Sequence, residues 1–175
     1  MEIKCYFCKE KAKLFDISID GENVECYRCD RYRISTSLIL TLPNNNLSSK
    51  EISIISGWIR ENQEQLITST KLQEILEIQH PTDEARAIKI LEFFGERYKK
   101  GENINLNDYK KPPYILLSVA WAEEPSEVMN YLIGDILINE KGFLKYLTEN
   151  NTSAVTITHK GWNYISSGNI KITII

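Results

Sequence analysis

The chain has 175 residues, a formal net charge of −3 and a pI near 5.5. That balance argues against a strongly basic, non-specific nucleic-acid binder, which needs a dominant cationic surface, although a small basic face stays open. A hydrophobic fraction of 42 % and a charged fraction of 26 % suit a globular protein, of a length for one medium domain or a small module plus a larger one.

The N-terminus, Met1-Glu2-Ile3-Lys4-Cys5, runs straight into a cysteine motif. It has no h-region of a signal peptide, and no apolar run approaches the roughly 20 residues that span a bilayer. A cytoplasmic location without membrane partners is therefore expected. The only four cysteines are Cys5, Cys8, Cys26 and Cys29, spaced C-x2-C-x17-C-x2-C. Two residues between cysteines let both sulfurs of one tight turn face the same ion, and two such turns complete a closed tetrahedral site. We expect one structural zinc ion that builds residues 1–36 into a zinc ribbon. A redox dithiol is the bland alternative, and an iron site would use the same ligands. The module is neutral, with seven Lys/Arg and seven Asp/Glu over residues 1–36. Between the knuckles, Leu14, Ile17 and Ile19, a turn at Asp20-Gly21-Glu22-Asn23, and Val24 predict a β-hairpin.

Residues 37–47 read as a linker, broken by Pro43 and three asparagines. Residues 48–175 read as a mainly helical domain. Ser48 and Glu51 have capping-box spacing, followed by Ile52, Ile55, Ile59 and Leu66 on one face with Trp58 at its flank. Thr70 and Gln73 offer a second capping box before Leu72, Ile75 and Leu76, and His80-Pro81 closes that helix. Thr82 caps a third helix, with Asp83 and Glu84 at its positive end and Ile88, Leu91, Phe94 and Tyr98 on its buried side. Lys99-Lys100-Gly101 is its stop. Residues 101–114 read as a linker or long loop, and Tyr114–Trp121 as a buried strand or short helix. A helix opens at Pro125-Ser126, with Val128, Leu132 and Ile136 at i, i+4 spacing beside Met129, Ile133 and Leu137. Strands over 143–147 and 154–157 flank a polar turn and form a wing over about 143–158. Thr158 caps a last short helix, and residues 170–175 read as a terminal strand.

Helix, hairpin and short helix in this order describe the wing end of a winged helix. With the paired C-x-x-C, Ser56-Gly57-Trp58-Ile59-Arg60 and Thr158-His159-Lys160-Gly161-Trp162, the chain resembles a bacterial module. That module joins a zinc ribbon to a winged-helix-like region and sits in front of nucleotide-processing or TIR-like effector domains. The resemblance covers most of the chain and implies a sensor or adaptor part, linked to anti-phage defence, without its enzyme; a fragment of a longer protein is the other reading. Asp30 stands where such ribbons usually carry Gly, which weakens the usual turn and leaves the ligands intact.

The expected fold is thus α+β: a four-cysteine zinc ribbon, then a helical winged-helix-like domain. Catalytic residues are not evident. His80 and His159 lack a Ser or Cys partner, carboxylate pairs sit at helix starts where the macrodipole explains them, and no phosphate loop occurs. Trp58, Trp121 and Trp162 read as core. Two binding functions remain. One is a non-catalytic regulatory or adaptor role through a protein partner or homo-oligomer, without a small-molecule substrate. The alternative is nucleic-acid binding through Arg28, Arg31, Arg33, Lys141, Lys145 and Lys160, against which the helix before the wing carries Glu127 and Asp135 and no Lys or Arg. An enzyme remains only if a second subunit completes a site.

Overall fold

The computed structural model describes residues 1–42, 46–109, 121, 129–148 and 151–167. The chain is a mixed α+β protein whose N-terminal strands carry the four cysteines and precede the helices. It divides into two compact units, Met1–Pro81 with Pro112–Pro125, and Thr82–Lys111 with Ser126–Ile175.

In the first unit, β1 (Glu2–Lys4), β2 (Lys11–Ser18), β3 (Gly21–Cys26) and β4 (Asp30–Ser35) form an antiparallel sheet. β2 and β3 are the expected hairpin, but the turn falls at Ile19-Asp20, because Ser18 already pairs with Gly21. A bulge between Leu14 and Asp16 interrupts the alternation of β2. The far half of that strand therefore leaves the core, and every residue from Phe15 to Ser18 is exposed. β3 and β4 alternate more regularly and turn Val24, Tyr32 and Ile34 inward.

The stretch read as a linker begins with a helix, α1 (Thr36–Thr41). The Ser35 side chain accepts from Leu38 N–H, and burial of Leu38 and Leu42 holds the turn in place. Pro43, Asn44 and Asn45 lie outside the described residues. α2 (Ser49–Glu61) opens on the expected capping box, in which Glu51 N–H donates to Ser48 Oγ at 3.3 Å and Ser48 N–H to Glu51 Oε2 at 2.7 Å. A two-residue strand, β5 (Leu66–Ile67), then pairs in parallel with β4, Arg33 beside Leu66 and Ile34 beside Ile67. This pairing fixes the chain up to Ile67. α3 (Ser69–Leu76) is consequently capped by Thr68 and not by the Thr70–Gln73 pair.

Val24, Tyr32 and Ile34 share one core with Leu38, Ile54, Ile55, Ile59, Ile67, Leu72 and Ile75. The sheet is too small to cover its own apolar face, and α2 supplies the cover.

The bonds to Ser48, backbone before side chain, hold the Glu51 carboxyl below its ordinary value. A depressed carboxylate stabilises the fold above its unfolded pKa and stops doing so as pH falls through the folded one. Ser48→Ala is expected to cost about 1 kcal/mol in denaturant melts at neutral pH. The gap between wild type and Glu51→Gln is expected to close in melts carried into acid.

In the second unit, α4 (Asp83–Arg97) starts at Thr82 as expected and buries Ala87, Ile88, Ile90, Leu91 and Phe94. The supposed linker from residue 101 carries structure. β6 (Ile104–Asn105) pairs with the strand through Ala154 and Val155, and a 3-10 turn over Leu106–Tyr109 buries Leu106 and Tyr109. Tyr109 packs edge-on to Phe93, and its hydroxyl lies 2.7 Å from that of Tyr98. Trp121 is described and buried, whereas the remainder of Tyr114–Trp121, the helix start at Pro125-Ser126 and the terminal strand 170–175 lie outside the described residues.

The helix before the hairpin is a π-helix over Leu132–Glu140. Its buried residues recur every four positions, as Leu132 with Ile133 and Ile136 with Leu137. β7 (Leu144–Thr148) and β8 (Asn151–Ile157) make the expected hairpin, with β8 central in the order β6-β8-β7. α5 (His159–Ser166) follows, with Thr158 Oγ1 accepting from Gly161 N–H and donating to Gly142 C=O.

Candidate metal centre

The antiparallel pairing explains why the four cysteines meet. The first knuckle joins β1 to β2 beyond the Lys4–Lys11 pair, and the second joins β3 to β4 beyond Cys26–Asp30. β2 lies beside β3 with Ala12 opposite Cys26. Both turns therefore emerge at the same end of the sheet. Each knuckle is followed by a residue in the left-handed region, Lys9 at φ 64° and Asp30 at φ 68°. The left-handed turn is thus kept without glycine, and aspartate is one of the few residues that tolerates it. Asp30 has a second task, accepting from Gln63 Nε2 at 2.8 Å while Arg60 lies 4.0 Å away.

All four sulfurs lie within 4.8 Å of one another. Cys8 and Cys26 are 3.4 Å apart, Cys8 and Cys29 3.6 Å, and Cys5 and Cys29 3.9 Å. A metal–sulfur bond of about 2.3 Å gives a tetrahedron with edges of about 3.8 Å. The sulfurs thus lie at the spacing of a four-thiolate cage, and the four cysteines are positioned to hold one metal ion. Cys5, Cys26 and Cys29 are buried and Cys8 is half-buried.

Electrostatics point the same way. Burial pushes the Cys5 thiol up, but hydrogen bonds from Cys26, Cys29, Cys8 and Tyr32 outweigh it and bring the group well below its ordinary value. Cys8 is pushed up, first by its hydrogen bond with Cys26, and Cys29 is pushed up first by burial. Crowded sulfurs without a cation therefore resist sharing more than a little negative charge. A bound dication reverses that preference and makes thiolates the stable form.

Three further side chains complete the centre. Tyr32 Oη is 3.2 Å from Cys5 Sγ, and Ser56 Oγ is 3.3 Å from Cys29 Sγ. Burial, then the charge on Cys5, raises the Tyr32 phenol well above its ordinary value, so it stays a donor to sulfur. Arg60, only 8 % exposed, donates through Nη1 to Arg28 C=O at 3.0 Å and brings a positive charge to the second knuckle. Burial lowers its pKa, opposed by Asp30, Cys29 and Cys26. Backbone N–H groups of Arg28 and Cys29 point at Cys26 Sγ, both at 3.4 Å. Tyr6 Oη donates to Glu22 Oε2 at 2.5 Å and pins the first knuckle to β3. Ser56 and Arg60 thus act together, α2 pressing one polar stripe on Cys29 and the second knuckle.

No family model, curated protein or solved structure matches this chain. The chemistry of the centre therefore rests on its donor atoms.

The cationic residues named from the sequence are dispersed. Arg28 is buried, at 6 % exposure, and so does not offer an open phosphate contact. Arg31 pairs with Glu25 at 3.3 Å and lies over the Phe15 ring. Lys141 pairs with Glu84 at 2.5 Å and Glu140 at 3.3 Å. Arg33 is exposed on the outer sheet face of the first unit, and Lys145 and Lys160 are exposed in the second. Tyr32, Ser56 and Arg60 were not foreseen as parts of the centre. The available signal was Ser56 and Arg60 four residues apart on an otherwise apolar helix face.

Proposed function

We propose that the cysteine cluster binds one structural zinc ion, and that the chain is a non-catalytic regulatory or adaptor protein acting through protein–protein contact. Zinc suits the centre because four sulfur donors leave no position for water or substrate. Both histidines are engaged with neighbours, His80 with the carbonyls of Pro81 and Trp121 and His159 with Asn163.

The observation that carries the protein-binding reading is the free end of the β2–β3 hairpin. There Phe15 is 52 %, Ile17 65 % and Ile19 96 % exposed, a run of large apolar side chains held out on a metal-clamped arm. Nucleic-acid binding is supported less well, since burial or ion pairing already occupies Arg28, Arg31 and Lys141. Among the described residues no helix is long and apolar enough to cross a membrane. A sensor or adaptor working with an effector enzyme, as the resemblance implies, would use such an arm for docking.

The Ile17→Lys/Ile19→Lys double variant is expected to fold normally and to lose concentration-dependent association in sedimentation velocity. Both forms are expected to pass heparin at low salt. A monomeric wild type retained on heparin would overturn the protein-binding reading in favour of nucleic acid.

A further inference from the structure

The four sulfurs of the cluster are not equivalent. Cys5, Cys26 and Cys29 are buried, whereas Cys8 is half-buried. The three buried ones each have a neighbour that donates to sulfur. Tyr32 Oη lies 3.2 Å from Cys5 Sγ, and Ser56 Oγ lies 3.3 Å from Cys29 Sγ. The backbone N–H groups of Arg28 and Cys29 both reach Cys26 Sγ at 3.4 Å. Among the described residues, Cys8 Sγ meets only other sulfurs, Cys26 at 3.4 Å and Cys29 at 3.6 Å. Cys8 also belongs to the first knuckle, while the α2 contacts fall on Cys29 and the second.

These differences decide which sulfur reacts. A hydrogen bond to a thiolate stabilises the anion, and a more stable anion is a weaker nucleophile. Oxidation selects the cysteine that combines thiolate character with exposure. A bound dication keeps all four sulfurs as thiolates at neutral pH. Cys8 is then the ligand with the most solvent and the fewest donors.

We propose that Cys8 is a site of oxidation by small hydroperoxides, and that its oxidation releases the metal. The proposal rests on the zinc reading above. The Cys8 thiolate attacks one oxygen of hydrogen peroxide. An S–O bond forms, the O–O bond breaks, and the leaving hydroxide takes a proton to become water. The sulfur loses two electrons and the peroxide gains them. Cys26, the nearest sulfur, then attacks Cys8 Sγ. The S–S bond forms, the S–O bond breaks, and a second hydroxide leaves as water. Two of the four ligands are gone, and the remaining pair does not make a closed tetrahedral site. The loss spreads to α2, because Tyr32 and Ile34 share a core with Ile55 and Ile59.

The test exposes the zinc-loaded full chain to hydrogen peroxide. A chromogenic chelator follows zinc release, and dimedone traps sulfenic acid in parallel samples. Cleavage after Lys9 and Arg28 places Cys8, Cys26 and Cys29 in three separate peptides for mass spectrometry. Dimedone is expected on Cys8 ahead of the other three cysteines. Without dimedone, one Cys8–Cys26 disulfide is expected per zinc released, and dithiothreitol with added zinc is expected to restore the site. Cys8→His keeps four ligands with a nitrogen in place of the oxidisable sulfur, and is expected to hold its zinc under the same exposure. Where that variant does not take up zinc, the wild-type peptide map decides alone. Protein that carries no zinc before oxidation would remove the zinc reading and this proposal together. Zinc-loaded protein labelled first at Cys5, Cys26 or Cys29, labelled equally at all four, or releasing zinc with Cys8 unmodified would overturn this proposal alone. A zinc-loaded Cys8→His chain that loses its metal as fast as wild type would do the same.

Discussion

Stripping the metal with a strong chelator is expected to unfold the N-terminal sheet. Purified protein is expected to carry about one zinc per chain by elemental mass spectrometry, and the chelated form to lose strand signal and melt earlier. Structural zinc supplies apparent binding energies of about 10–16 kcal/mol at neutral pH. A domain stability of about 5–15 kcal/mol does not survive that loss. The damage should not stop at the knuckles, because Tyr32 and Ile34 share a core with Ile55 and Ile59. Cys29→Ser is expected to act like the chelator, since Cys29 touches both knuckles and Ser56. Acid should release the ion as well, because protons compete for thiolates, so affinity falls as pH falls. A metal-free preparation with an unchanged melt would return the cysteines to the redox reading.

The second large effect is expected at Gly57. A Cβ built there would sit 2.1 Å from Trp121 Cδ2 and 2.3 Å from its Cγ, far inside contact distance. The indole cannot swing aside cheaply. Its Nε1–H donates to Glu61 at 2.8 Å, and its backbone carbonyl is held by His80 at 2.5 Å. Gly57→Ala should therefore destabilise the first unit by about 1–3 kcal/mol, even though alanine is the better helix former. Adding Trp121→Leu should recover part of that loss, and a double-mutant cycle in denaturant would measure the coupling. Full additivity of the two changes would show that the ring does not set the requirement for glycine.

Features that depend on neighbours in sequence were legible. Both knuckles, the hairpin between them, and the caps at Ser48, Thr82 and Thr158 follow from spacing and residue type, and the structure has all of them. Features that depend on distant pairing were not. β5 and β6 are two residues each, too short for any period, and exist because Ile67 meets Ile34 and Ile104 meets Val155. The cap of α3 was misplaced by two residues for the same reason. The outer partners of the metal centre were hidden differently. A serine and an arginine on a helix read as solvent-facing polar groups until an anionic cluster is known to lie against them.

The way α2 covers the sulfurs also bears on the rate at which the ion is exchanged. The four ligands fall within residues 5–29, so the cage closes over short loops and can capture metal before α2 has folded. Ser56 and Arg60 of α2 cover one side of it, at Cys29 and at the Arg28 carbonyl. On that side release is expected to be slowed by α2, since lifting it is a sub-global opening that exposes Ile55 and Ile59 to water. Loading should be fast in a nascent chain and unloading slow in a finished one, so the metal content of the mature protein would record the conditions of its synthesis.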